Sequence, residues 1–127
     1  KMSLTNTYET TTLNWLFTGG TATRPTSWYV GLFTDDPGET GAGTEITGNA
    51  YARTAVTLTV TGNASTNSGA VEFPAATGSW GTITHIGVMD ASTGGAMILH
   101  AALDASKAIA SGDVFRIPIG DLDITLD

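Results

Sequence analysis

The sequence predicts a mainly β fold, an antiparallel β-sandwich or jelly-roll-like domain with one short N-terminal α-helix. Three observations carry that prediction. Short runs of alternating apolar and polar residues recur with turn signals every ~8–12 residues. Thr and Gly are abundant while charged residues make up only 13% of the chain, and Thr favours strands as Gly favours turns. Only one segment has helical spacing. At 127 residues the length suits a single domain, expected to span 1–127, with a core that buries roughly two-thirds of the unfolded surface.

The helix is predicted over Asn6–Phe17. Asn6-Thr7-Tyr8-Glu9 has the form of a capping box, in which the first side chain accepts from the third helical N–H and the acid reaches back. Leu13, Leu16 and Phe17 share a face, and Gly19-Gly20 supply the stop. The expectation is an amphipathic helix seated on the edge or end of a sheet, with docking into a neighbouring protein as the alternative.

After Pro25 the period becomes two. Thr26–Phe33 reads as a strand with apolar residues on both faces, hence a central one. Asp35–Asn49 is a long Gly/Thr/acid loop, of a length that often marks a binding or assembly element. Ala50–Val60 alternates most cleanly and is predicted as one strand, with Thr61–Gly69 as a polar turn region. Ala70–Phe73 is a short strand ended by Pro74. Thr82–Met89 and Ala96–Leu103 flank the turn cluster Asp90–Gly95 and predict a β-hairpin. Lys107–Ala110, Val114–Ile119 and the alternating stretch Asp121–Asp127 complete the strands.

Composition narrows the function. The net charge is -7 with five Lys or Arg, which disfavours tracking phosphates of a nucleic acid or adhering to anionic membranes. Cysteine is absent, so disulfides and thiolate metal sites are excluded. No apolar run is long enough to span a bilayer.

Chemistry is hard to find. His85 and His100, the only histidines, both lie in the hairpin, and a nucleophilic triad would need one of them as base. No Gly-x-Ser-x-Gly elbow accompanies them. Two histidines without close ligand spacing are a poor zinc signal, and no EF-hand loop fits the acids. The glycines at 38, 41 and 43 lack the Lys and the strand-to-helix setting of a phosphate loop. The expectation is a protein without catalytic residues, metal or cofactor. Aromatic side chains are the alternative currency, because they supply rigid contact area. Trp28 falls mid-strand and is assigned to the core. Tyr51 opens a strand and Trp80 precedes one, so both are candidates for a surface that meets a partner or a sugar.

Several stretches together carry a likeness. They include Leu4-Thr5-Asn6, Tyr29-Val30-Gly31-Leu32-Phe33, Gly43-Thr44-Glu45-Ile46, Tyr51-Ala52-Arg53, Asn67, Phe73-Pro74-Ala75-Ala76, Trp80 through Gly87, Asp90-Ala91, Gly94-Gly95 and Asp123-Ile124-Thr125-Leu126. In this order, across nearly the whole chain, they resemble a family of short bacteriophage virion proteins commonly labelled phage tail fibre protein. The resemblance implies a non-enzymatic virion component assembled in the host cytoplasm. Its expected partners are other virion proteins, the major capsid protein or tail proteins, and further copies of itself.

Within that class the sequence favours a capsid decoration (cement) protein, because these 127 residues contain no heptads and no Gly-X-Y shaft. The loop Asp35–Asn49 would then be free to conform to the shell. The alternative is a tail-fibre or receptor-binding module, with a host glycan as ligand. The candidate interaction surface comprises Glu45, Tyr51, Arg53, Trp80, His85 and His100.

Overall fold

A computed structural model describes residues 2–126 of the chain; Lys1 and Asp127, the latter expected to end the last strand, lie outside it. The elements run β1 (Ser3–Leu4), α1 (Asn6–Phe17), β2 (Tyr29–Phe33), β3 (Thr54–Ala55), β4 (Leu58–Thr61), β5 (Ala64–Asn67), β6 (Val71–Glu72), β7 (Gly81–Met89), β8 (Met97–Ile109), β9 (Arg116–Ile117) and β10 (Asp123–Thr125). They form three antiparallel sheets, ordered β1-β8-β7-β2-β3, β10-β5-β4 and β6-β9. The mainly β, antiparallel class with one helix is the one the alternation pattern predicts.

The β7–β8 hairpin is the frame. Its register runs from Gly81↔Ile109 to Met89↔Met97, with irregularities between Ile83 and His85 and between Val88 and Met89. All five residues of β2 pair with β7, from Tyr29↔Met89 to Phe33↔His85, so β2 is interior as its two apolar faces predicted. One face, with Val30, Leu32, Ile86 and Val88, belongs to the main core; Val71 and Ile117 enter it from the two-stranded sheet, and Leu58 and Ile124 flank it from the three-stranded sheet. Phe73 and Phe115 meet edge to face at 5.7 Å, and Tyr51 meets Trp80 in the same way at 5.4 Å, a geometry that adds about 0.5–1.5 kcal/mol to burial for each pair.

The other face of the hairpin carries a second, smaller cluster of Phe33, Met89 and Met97 with Tyr29 against it. Gly31 and Gly87 oppose each other there. A Cβ on Gly87 would stand 2.6 Å from Met97 Cε and 3.2 Å from Phe33 Cε1, and one on Gly31 would stand 3.0 Å from Glu45 Oε2. The bare backbone thus makes room for a third layer, the long loop after β2.

That loop is not free. Thr34 N–H donates to Thr44 O (3.1 Å) and Ile46 N–H to Leu32 O (3.1 Å). Both Asp35 carboxylate oxygens accept from Thr44, at 2.6 Å from its N–H and 2.8 Å from its hydroxyl. The ties are backbone carbonyls and the Asp35 carboxylate, which a reading of loop length cannot see.

Four expectations along the strands are corrected. Ala50–Val60 is not one strand: Asn49 and Ala50 have positive φ of 53° and 68°, and β3 and β4 belong to different sheets. The chain changes sheet at buried Val56, whose N–H donates to Trp28 O (2.9 Å). Alternation continues through the switch because it reports faces, not partners. Thr61–Gly69 contains β5, which its polar residues conceal. Lys107–Ala110 is largely the end of the continuous β8, while Val114–Ile119 shrinks to β9.

The helix has the predicted bounds but neither the predicted cap nor the predicted seat. Thr5 is the N-cap and no side chain caps it. Glu9 N–H donates to the Thr5 carbonyl (2.9 Å), while the Thr5 hydroxyl donates to Met97 O (2.6 Å). Asn6 is already inside the helix, so the capping box does not form. No helix residue is buried. Leu13, Leu16 and Phe17 are 56%, 55% and 78% exposed, because α1 touches the body only near its start. The stop signal holds: Thr18 and Gly20 N–H groups both reach Asn14 O, at 3.0 and 3.1 Å. Among the described residues no helix is long and apolar enough to cross a membrane.

Candidate functional site

Three of the six sequence-derived candidates meet at the tip of the hairpin. Glu45 arrives on the loop, bridged to Phe33, and Tyr51 and Arg53 follow on the irregular segment before β3. Arg53 grips Glu45 in a fork, Nε to Oε2 and Nη2 to Oε1, both 2.8 Å. Its Nη1 donates to Ala91 O (2.9 Å) and Gly94 O (2.8 Å), two carbonyls of the hairpin turn. The Tyr51 hydroxyl donates to Glu45 Oε2 (2.6 Å) and accepts from Leu32 N–H (3.0 Å). It thereby replaces the strand partner that β2 lacks below β3.

The electrostatics follow from that geometry. Burial alone would raise the Glu45 carboxyl, but the hydrogen bonds from Arg53 and Tyr51 and the guanidinium charge outweigh it and hold the pKa below its ordinary value. Arg53 is raised, chiefly by its hydrogen bonds to Glu45 and against its own burial. Burial, then the bond to Glu45, pushes the Tyr51 phenol well above its usual range. Every charge is satisfied within the chain, so the cluster binds the loop to the turn and offers no unpaired general acid or base. An open cleft of about 490 Å³ lies beside it, with Thr47, Gly48, Ser92 and Thr93 among its walls.

The same turn is fastened from the opposite side by residues that sequence reading missed. Asp90 Oδ1 accepts from Ala96 N–H (2.8 Å), closing the turn, while Oδ2 accepts from the Tyr8 hydroxyl (2.8 Å). Burial and then that bond push the Tyr8 phenol up to about 12. An Asp at the start of a turn cluster signals the first contact; nothing in the sequence signals the second.

His85 and His100 are diagonal neighbours across the hairpin, since His85 pairs with Ala102 and His100 with Gly87. Both lie under the long loop. Asp36 Oδ1 stands 3.9 Å from His85 Nε2 and 3.9 Å from His100 Nδ1. His100 Nε2 contacts Glu39 Oε1 at 3.1 Å, and His85 Nδ1 contacts the hydroxyl of its chain neighbour Thr84 at 2.8 Å. Among the described residues no group of three such side chains is arranged to hold a metal ion. The histidines hold down the loop, 20% and 13% exposed at the side chain.

Trp80 does not reach the surface. It is 4% exposed and its Nε1–H donates to Asn49 O (2.9 Å), because Gly81, with φ of 77°, turns the strand start and leaves the indole inside. Asn67, present in the family likeness without an assigned role, is a buried latch. Its Oδ1 accepts from Leu122 N–H (2.9 Å), and its Nδ2 donates to Gly69 O (2.8 Å) and Pro118 O (2.9 Å).

The fold is thus a mainly β body with a loop layered on its central hairpin and an internally paired charge cluster at the hairpin's tip. Comparison with curated proteins finds no match. The comparison with protein families is decisive: over residues 3–125 this chain matches Gp80, described as Podophage GP4 fiber I protein gp80, and it belongs to that family.

Proposed function

We propose that this chain is a non-enzymatic subunit of a podophage fibre, built as one domain over 1–127 and attached to other virion proteins. Family membership makes it a bacteriophage fibre-type structural protein and a virion component. The observation that carries the finer reading is the reach of the match, residues 3–125. It covers α1 and all the sheets, so the fibre description attaches to the folded body itself. The internally paired Glu45–Arg53 cluster supports a rigid module with no catalytic task. Under this reading the rim of the cleft, with Tyr51, Arg53 and Glu45 behind it, is the surface offered to a virion partner or a host glycan. Immunogold labelling of intact particles tests the assignment: gold on projecting fibres is expected, and gold spread evenly over the head shell would overturn it.

Capsid decoration is the second reading. It is favoured by the absence of a heptad or Gly-X-Y shaft in these 127 residues. It loses one of its supports, since the loop meant to mould to a shell is tied down by Asp35, Asp36 and Glu39. An adsorption assay separates a further case: recombinant protein that blocks phage binding to cells would mark a receptor-binding module.

A further inference from the structure

We infer that the cleft between β8 and the β9–β10 end of the fold takes an extended basic segment of another virion protein, which lies as an added strand beside Leu103–Ser106. The cleft measures about 420 Å³, within the roughly 300–1,000 Å³ of binding clefts. Its floor is buried core: Ile86, Ala101, Phe115, Ile117 and Leu122. Asp104, Asp121 and Asp123 stand exposed around it, against one lining cation, Arg116. The ion pairs of the described residues involve none of these three carboxylates. One wall is strand backbone. β1 covers the outer edge of β8 only at Leu99 and His100, and Met2, just before it, lines the cleft. On the other edge, β7 pairs with β8 at Ala102, opposite His85, and next at Lys107, opposite Ile83. The residues between, Leu103–Ser106, therefore face Thr84 alone and leave most of their N–H and C=O groups outside the ladder. Unpaired strand backbone is a template for a further strand, and this stretch carries Leu103 and Asp104 into the cleft.

The chemistry of the walls selects the occupant. Three acids against one base call for cations, and an extended segment presents every second side chain to the same side. A Lys or Arg there lays its methylene stem along the half-buried Met2 and Leu103 and keeps its charge at the acidic rim. The floor already attracts a cation of its own chain, since Lys107 Nζ lies 5.9 Å from the centre of the Phe115 ring. A second copy does not supply such a segment. The five Lys or Arg residues, Lys1, Arg24, Arg53, Lys107 and Arg116, are scattered along the sequence, and Arg53 is held by Glu45. The partner is therefore a different protein, with basic residues at alternate positions. The inference rests on the reading of this chain as attached to other virion proteins.

The probe is a short labelled peptide alternating Arg and Val, and its anisotropy is followed with the full recombinant chain at about 0.15 M salt. Micromolar binding is expected, while a peptide alternating Glu and Val should not bind. Asp121→Asn with Asp123→Asn should weaken binding roughly tenfold. Should that pair fail to fold, Asp104→Asn alone should weaken it about threefold. Glu9→Gln with Glu39→Gln, an equal change of net charge away from the cleft, should stay within about twofold. Methylating every second backbone nitrogen of the peptide should abolish binding in one register and spare it in the other, because an added strand donates to its neighbour from alternate residues. In particles, Ala105→Cys supplies a single thiol to a chain without cysteine, and a short thiol-to-amine linker should join it to a lysine of another virion protein, read by mass spectrometry. No binding of the Arg and Val peptide, equal losses from the two pairs of substitutions, binding that survives methylation in both registers, or linkage only between copies of this chain would each overturn the inference. The peptide measurements need no particle, so gold on the head shell would strike the fibre reading and leave them to decide the cleft.

Discussion

The hairpin tip and the far end of α1 are both rich in large side chains, yet the fold treats them in opposite ways. At the tip Arg53 joins loop, turn and carboxylate at once, and Tyr51 carries the packing on to Trp80, which meets it edge to face near the open end of the hairpin. At the end of α1, Trp15 and Phe17 stand 59% and 78% exposed. The difference teaches that burial here follows long-range fastening. The tip is reached by Tyr8, Glu45 and Arg53 from distant segments, whereas Leu13, Trp15, Leu16 and Phe17 of α1 all stay more than half exposed among the described residues.

The two tryptophans sharpen that contrast most. Trp80→Ala should cost about 3–5 kcal/mol, since it empties a core site and removes one of the two donors to Asn49 O; urea unfolding followed by circular dichroism measures it. Arg53→Ala comes next, at about 3 kcal/mol, because Glu45 is left largely buried without its cation. Adding Glu45→Gln to that variant should recover part of the loss, and no recovery would show that the turn carbonyls carry the effect.

Proton linkage at the tip gives an intermediate effect with a defined sign. The Glu45 carboxyl is depressed below its ordinary 4.5 in the folded chain. Its stabilisation is present above that value and is lost as pH falls through the folded value. Tyr8 is shifted the other way, from 10.0 to about 12. Its contribution is full below pH 10 and disappears as pH rises toward 12. Thermal melts across pH 2–5 and pH 9–12 should therefore fall off at both ends, and a Tyr8→Phe chain should lose part of the alkaline dependence. Trp15→Ala is the smallest change, within about 0.5 kcal/mol for the isolated body. A loss comparable to that of Trp80→Ala would end the contrast between the two regions.

Much of this was readable in the sequence, for reasons that differ by element. The hairpin and β2 were legible because period two survives on strands whose two faces both meet protein. The bounds of α1 were legible because Gly19-Gly20 stop a helix through local geometry alone. The seat of α1 was not, since the spacing of Leu13, Leu16 and Phe17 defines a stripe without saying which protein covers it. The strand switch at Val56 was invisible because the faces keep alternating through it. Glu45, Tyr51 and Arg53 stood out as candidates, but their union depends on the loop crossing back over Gly31. Asn67 and Asp90 act through partners 55 and 82 residues away at the farthest, and no local pattern encodes such distances.

The tie between Tyr8 and Asp90 also bears on the order of synthesis. The two residues are separated by 82 positions, and Thr5 waits for a carbonyl 92 positions downstream. At ~5–20 residues per second a ribosome needs roughly 4–16 s to make that span. Throughout that interval the strand that will hold α1 does not yet exist. The apolar stripe of α1 is thus complete before either of the contacts that anchor the helix to its own body can form.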